Sequence, residues 1–329
     1  MAVSKLEEKT SVLWLKILAV ATMLVTFFVN IMGFVDTETG SAMGCGANWP
    51  LCNGQFIPDS WDKQTIIEYA HRAIVGLLTL LLLALAIYSW RKYGNRREVR
   101  ILVWMSIGFV AAQAALGAMA VMFTNPPTIL ALHFGISLLA FSGVLLLMIF
   151  VWQVSNPSAR SGLALRQSAA PRPVMRWVWV TLIYTYGAVY YGAYVTSTNI
   201  GEACQGWPLC NGQLIPPLHG AVGLDFLHRV LALGLVFVTM NLIRLTYQIL
   251  TTRPDLYRGS WLALVFIILQ AFSGGYLVVD HLDLNAFLLH VSIMSGFFGT
   301  LTYLGMQVYP ASVPRTQKRS WFRRTSMPS

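Results

Sequence analysis

Charge is what this chain has least of. Only 11% of its 329 residues are charged and 56% are apolar, against roughly a quarter charged in a soluble globule, so a water-soluble domain is excluded. Cysteine is scarce too. The four present form neither C-x-x-C nor C-x-x-C-H, which removes thioredoxin-like motifs and covalent haem attachment. A cleavable leader is not evident either, because acidic residues precede the first apolar run and no small-residue cleavage site closes it. That run reads as a permanent span. An Arg-rich, acid-poor transit sequence is also missing, which points to a bacterial plasma membrane rather than an organelle.

What is present is apolar length. A membrane helix needs about 20 apolar residues, and eight runs qualify: 12–34, 66–90, 101–123, 128–152, 177–197, 223–250, 260–279 and 284–309. The basic residues orient them. Arg91, Lys92, Arg96, Arg97 and Arg100 follow the second run; Arg160, Arg166, Arg172 and Arg176 follow the fourth; Arg253 and Arg258 follow the sixth. These loops, with Lys5, Lys9 and the tail residues Arg315, Lys318, Arg319, Arg323 and Arg324, are expected on the cytoplasmic side, and so are both termini. The opposite loops carry only Lys63. The net charge of +10 is thus read as topology and contact with lipid headgroups, not as nucleic-acid binding.

The chain repeats itself. Trp49-Pro50-Leu51-Cys52-Asn53-Gly54-Gln55 recurs as Trp207-Pro208-Leu209-Cys210-Asn211-Gly212-Gln213, and Ile57-Pro58 recurs as Ile215-Pro216. Gln113 and Gly117 map onto Gln270 and Gly274. The repeat predicts an all-α polytopic membrane protein of eight transmembrane helices, arranged as two four-helix bundles related by a pseudo-twofold axis along the membrane normal. The expected divisions are an amino-terminal bundle over 1–153, a cytoplasmic linker over 154–176, a carboxy-terminal bundle over 177–309 and a basic tail over 310–329.

Glu68-Tyr69-Ala70-His71-Arg72 opens the second run, and Asp225-Phe226-Leu227-His228-Arg229 opens the sixth. His133 follows His71 by 62 positions, as His290 follows His228, with 157 positions between the pairs. Both members of a pair lie ~9 Å inside the outer ends of parallel helices, a placement that suits two imidazoles on opposite faces of one haem iron. A single intramembrane histidine more simply bonds a neighbouring helix, but two pairs at a duplicated spacing favour tetrapyrrole ligation. Zinc or copper is disfavoured, since compact Cys or carboxylate partners are lacking apart from Glu68 and Asp225.

Each carboxylate stands one turn from its histidine on the same face, where it either touches the ligand or orients the imidazole and pairs with the adjacent Arg. The second role is favoured for Asp225, and Glu68, the longer acid, is the choice for chemistry. Arg72 and Arg229 have two open roles, haem propionates or snorkelling to headgroups. Cys45 with Cys52 and Cys204 with Cys210 fall in outward loops and are expected to pair within each loop as staples holding a lid; a redox role is the alternative. Gln113 and Gln270, among small residues, read mostly as packing, with hydrogen bonds across helices open to them and no chemistry assigned, and His219 and His281 as solvated.

With these residues in view the chain resembles the haem A synthase family, over about 12–309. The resemblance rests on Glu68-x-x-His71-Arg72, His133, Asp225-x-x-His228-Arg229, His290 and the two Trp-Pro-Leu-Cys-Asn-Gly loops. It implies oxidation of a ring methyl of haem O to a formyl group by two successive oxidations. It also implies a substrate site on His71 and His133 and a haem b cofactor on His228 and His290, and on this reading Glu68 either manages protons or stabilises positive charge developing beside the ring. Partners implied by the family are haem O synthase and terminal oxidase assembly; the electron partner is left unnamed. The rival readings are a dihaem b-type electron carrier and a transporter of amphiphiles. A carrier normally stacks its haems at both leaflets, and a transporter has broken helices at mid-membrane.

Overall fold

The computed structural model describes residues 2–156 and 162–314. Nine helices lie among them: α1 (Ala2–Glu38), α2 (Lys63–Tyr93), α3 (Arg97–Met122), α4 (Pro127–Ser155), α5 (Gly162–Leu165), α6 (Arg172–Ser197), α7 (Gly220–Tyr247), α8 (Pro254–Val279) and α9 (Leu284–Gln307). Arg160 and the tail from Arg315, with Lys318, Arg319, Arg323 and Arg324, lie outside the described residues.

Seven of these helices are long and apolar enough to cross a membrane: α1, α2, α3, α4, α7, α8 and α9. The chain is therefore an all-helical, multi-pass membrane protein. The run expected over 177–197 does form α6, at 26 residues, but that helix is not one of the seven. Its tyrosines at 184, 186, 190, 191 and 194, with Arg172 and Arg176, dilute its apolar content.

Local signals set the helix ends. The Asp62 side chain accepts the Thr65 backbone N–H at 3.0 Å to cap α2, and Asp283 accepts the Asn285 N–H at 2.8 Å to cap α9. Proline sits at the first turns of α4, α6 and α8, where its missing N–H costs nothing. Buried hydroxyls in the spans turn back on their own helix: Thr26, Thr185, Thr239 and Ser106 each donate to the carbonyl four residues earlier. No polar group is thereby left facing hydrocarbon at those positions.

In the first half α1 packs on α2 and α4, and α3 on α2 and α4; in the second α6 packs on α7, and α8 on α7 and α9. The halves meet through α4 and α1 against α6 and α9. Each half has its own apolar core, one around Leu15, Leu85, Leu147 and Phe150, the other around Leu235, Ile267, Phe297 and Leu301. Phe34 of α1 bridges them, stacked on Phe134 at 4.8 Å between centroids and edge-on to Phe287 at 5.5 Å.

The expected linker is structured where it is described. Arg166, only 2% exposed, donates to the Tyr309 carbonyl at 3.0 Å and to Glu98 at 3.4 Å. Arg253 is gripped by Asp255 at 2.8 Å and donates to the Gln307 carbonyl at 2.6 Å. This network joins the two halves at the end away from the cysteine loops.

Candidate functional site

The site is built at the end of the helices where the cysteine loops emerge. Both expected disulfides, Cys45–Cys52 and Cys204–Cys210, are formed. Each loop then reverses through Asn-Gly, with Asn53 and Gly54 at φ 51° and 86° and Asn211 and Gly212 at φ 52° and 75°. Two successive positive φ values define a tight hairpin turn that this dipeptide tolerates. It lets Cys52 pair with Gln55, and Cys210 with Gln213.

The acid and the guanidinium of each motif fasten these loops. A Glu68 oxygen accepts the Cys45 N–H at 2.6 Å and its other oxygen pairs with Arg72, which donates to the Leu51 carbonyl at 2.8 Å. In the second half Asp225 accepts the Cys204 N–H at 3.0 Å. Arg229 donates to the carbonyls of Cys204, Gly206 and Leu209, the second at 2.8 Å. Both arginines spend donors on loop carbonyls that would otherwise be unpaired, and Arg72 also on Glu68. Glu68 and Asp225 are 1% and 5% exposed, so each is a carboxylate sealed beneath its loop.

The histidines lie deeper. His71 and His228 stand eight residues into α2 and α7, and His133 and His290 six residues into α4 and α9. All four are partly buried. Nδ1 of His71, His133 and His228 is buried without a partner.

Four glycines back the four rings. A Cβ built on Gly33, Gly117, Gly192 or Gly274 would meet Cε1 of His71, His133, His228 or His290 at 3.2, 3.1, 2.5 and 3.1 Å. The same ring atom faces the same kind of neighbour every time, so a Cβ would press on each imidazole, slightly at Gly33, Gly117 and Gly274 and severely at Gly192.

Two contacts escaped the sequence reading. The Gln113 amide nitrogen lies 3.0 Å from Nε2 of His133, and that of Gln270 lies 2.8 Å from Nε2 of His290. The bonds across helices open to these glutamines are thus formed, and their partners are the histidines; the common 20-residue lead over the histidine was the signal. The halves also differ. Ser273 Oγ lies 3.0 Å from Nδ1 of His290 and Tyr191 stacks on His228 at 6.4 Å between centroids, whereas the corresponding residues of the first half are Leu116 and Met32. His219 and His281 are exposed.

Paired, partly accessible imidazoles with unpartnered ring nitrogens and glycine-backed faces are a donor set that fits a tetrapyrrole iron. No compact cluster of His, Cys, Asp and Glu suited to a bare metal ion occurs among the described residues.

Residues 16–301 match the family described as cytochrome oxidase assembly protein. The chain is 38% identical to the "Heme A synthase" of Symbiobacterium thermophilum, over 88% of this chain and 94% of that protein. It is 36% identical to the "Heme A synthase" of Geobacillus kaustophilus, over 88% and 90%. It is 39% identical to that of Bacillus licheniformis, over 88% and 94%.

Proposed function

The chain belongs to the cytochrome oxidase assembly protein family, and from that premise we propose how its two histidine pairs share the work of a haem A synthase. The protein converts haem O to haem A. His71 and His133 hold the substrate haem O, and His228 and His290 hold a resident haem b. The observation that carries the two-site reading is the fourfold pairing of a histidine ring with a glycine across a helix boundary.

The difference between the halves supports the division of labour. A permanent cofactor gains from ligands whose second ring nitrogen is fixed, and His290 has that in Ser273 while His228 has the Tyr191 face. A substrate must come and go; Nδ1 of His133 and of His71 has no partner, and since that of His228 has none either, the difference between the pairs rests on His290 and Ser273 and on the Tyr191 face. Bound iron supplies the oxidising chemistry. The protein's part is to seat the ring methyl and to manage protons, and Glu68 is the acid placed for it, one turn above His71. The disulfide-closed loop, held by Glu68 and Arg72, excludes water from that end of the site.

The finer architecture follows from the same reading. α6 is the eighth span, packed between α4, α7 and α9, and the two halves, 1–153 and 177–309, are pseudo-twofold mates joined by the 154–176 linker, with a basic tail over 310–329. The basic loops put both termini in the cytoplasm and the cysteine loops outside a bacterial plasma membrane. Haem O synthase and terminal oxidase assembly are the proposed partners, together with an external electron acceptor.

The test is expression in cells that make haem O, followed by extraction and chromatography of the pigments. Haem A or its alcohol precursor is expected; haem b alone would indicate the rival electron carrier. Within the same experiment Gly192→Ala should cost more haem b than Gly117→Ala costs substrate binding. The added Cβ at 2.5 Å must displace His228 whereas the one at 3.1 Å needs only a small adjustment, an overpacking cost of about 1–3 kcal/mol. Gly187→Ala, with nothing within 4 Å, should change neither.

A further inference from the structure

The two halves differ again on the helix that backs the first histidine of each pair. Gly33 and Gly192 stand at an offset of 159, and at that offset Thr22 of α1 meets Thr181 of α6, Thr26 meets Thr185 and Thr37 meets Thr196. The local structure agrees, because Thr26 donates to the Thr22 carbonyl and Thr185 to the Thr181 carbonyl. Within that stretch Asn30 falls on Val189, a polar residue against an apolar one. Both are part-buried.

The packing of α1 makes no use of the amide. Nδ2 of Asn30 is buried with no hydrogen-bond partner, which is costly inside a membrane helix and marks a functional position. Asn30 precedes Gly33 by three residues, so it lies ~4.5 Å deeper and about 60° round the axis. Gly33 is the residue against which the His71 ring of α2 rests. On the other flank Phe27 and Phe34, three residues before Asn30 and four after it, meet Phe141 and Phe134 of α4 at 6.0 and 4.8 Å between centroids, and Phe134 adjoins His133. Asn30 therefore stands on the strip of α1 between the helix that carries His71 and the helix that carries His133. A buried water needs two or more polar partners, and these four phenylalanines supply none.

We propose that Asn30 is the residue that tells haem O from haem b, by donating from Nδ2 to the hydroxyl on the carbon that joins the isoprenoid tail of haem O to its ring. This rests on the amino-terminal half being the substrate site. The two haems share their iron and both propionates; where haem O carries the hydroxylated tail, haem b carries a vinyl group. An amide, which donates and accepts, suits a neutral hydroxyl, which does both. A propionate at this depth would be a buried charge facing a neutral partner, and its desolvation costs far more than the bond returns. Val189 fits the same account, since a vinyl-bearing haem in the second half calls for no donor. Haem b in the first site would leave Nδ2 unpaired, and a site built to bond a hydroxyl rejects the analogue that lacks it. Asn30 sets specificity and needs no contact with the reacting methyl.

The test uses the full chain with its resident haem b, titrated optically with haem O, with further haem b and with a haem O analogue lacking only the hydroxyl. Wild type should hold haem O about tenfold more tightly than the analogue, the effect of one hydrogen bond whose loss strands its donor. Asn30→Val, which installs the residue the second half already accommodates, and the near-isosteric Asn30→Leu should hold the two alike, and should favour haem O over haem b about tenfold less than wild type does. A structural defect would weaken all three ligands together and leave their ratios unchanged. In haem A formation the loss should fall on KM and spare kcat. Equal affinity of wild type for haem O and the analogue would overturn the assignment, as would wild-type ratios in Asn30→Val and Asn30→Leu. Haem O held as tightly by His133→Ala as by wild type would instead remove the substrate-site reading on which the assignment rests.

Discussion

Glu68→Gln is expected to leave the protein folded and its haem b in place while haem A formation drops by about two to four orders of magnitude, the span typical of losing a positioned acid or base. The glutamine keeps an oxygen able to accept the Cys45 N–H, now made at 2.6 Å, so the loop stays docked. What it loses is the ability to take and release a proton, and the ion pair with Arg72. Breaking a pair this deeply buried costs about 3–5 kcal/mol, so a stability effect must be separated from a chemical one. Asp225→Asn is the control. Asp225 makes the same bond to its own cysteine loop, accepting the Cys204 N–H at 3.0 Å, but in the half proposed to hold the cofactor. If the acids act only as loop fasteners, both variants should lose product in proportion to lost fold. If Glu68 manages protons, chromatography of the extracted haems should show haem O or the alcohol in Glu68→Gln and normal haem A in Asp225→Asn. Normal haem A from both variants would end the assignment of Glu68.

Much of this arrangement is written plainly in the chain. The disulfides, the Asn-Gly turns and the equal histidine spacings are legible because each rests on residue types whose behaviour is local: cysteine pairs across a short loop, and Asn-Gly adopts positive φ wherever it occurs. Seven spans follow from apolar length alone. α6 blurs because it is packed against other helices along much of its length, so tyrosines at 186 and 191 face Phe298 and His228 and its sequence need not satisfy lipid on every side. Gly33 and Gly192 were hidden for a different reason. Between α1 and α2 the first half is two residues longer than its counterpart, so the constant 157 offset that aligns the histidines misaligns the glycines behind two of them. The roles of Arg72 and Arg229 were also beyond the sequence, since hydrogen bonds to the carbonyls of Leu51 and Gly206 depend on where a folded loop brings its backbone.

His290→Ala should remove haem b from the purified protein and His133→Ala should not. The two substitutions delete the same side chain at the same depth, six residues into α4 or α9, and against equivalent glycines. A merely structural role would therefore make them alike. In His290→Ala a haem held by this pair would lose a nitrogen ligand; Gln270 and Ser273, whose side chains lie 2.8 Å and 3.0 Å from the ring nitrogens, would lose that contact, and Ser273 would keep only the Gln270 carbonyl. In His133→Ala only the Gln113 contact at 3.0 Å is lost, so haem b should persist while haem O is no longer turned over. Ser273→Ala should fall between wild type and His290→Ala, weakening haem b retention by roughly 10–100-fold, as removal of a ligand's hydrogen-bond partner does. Leu116→Ser, the reciprocal change in the other half, should slow release from the substrate pair, since fixing Nδ1 of His133 stabilises whatever the ring holds. The reduced-minus-oxidised absorption spectrum reads haem b and pigment chromatography reads turnover. Haem b lost from His133→Ala and kept in His290→Ala would reverse the two sites. Equal retention in both would mean that neither His133 nor His290 ligates haem b, because a haem that lost a nitrogen ligand would show the loss in its spectrum.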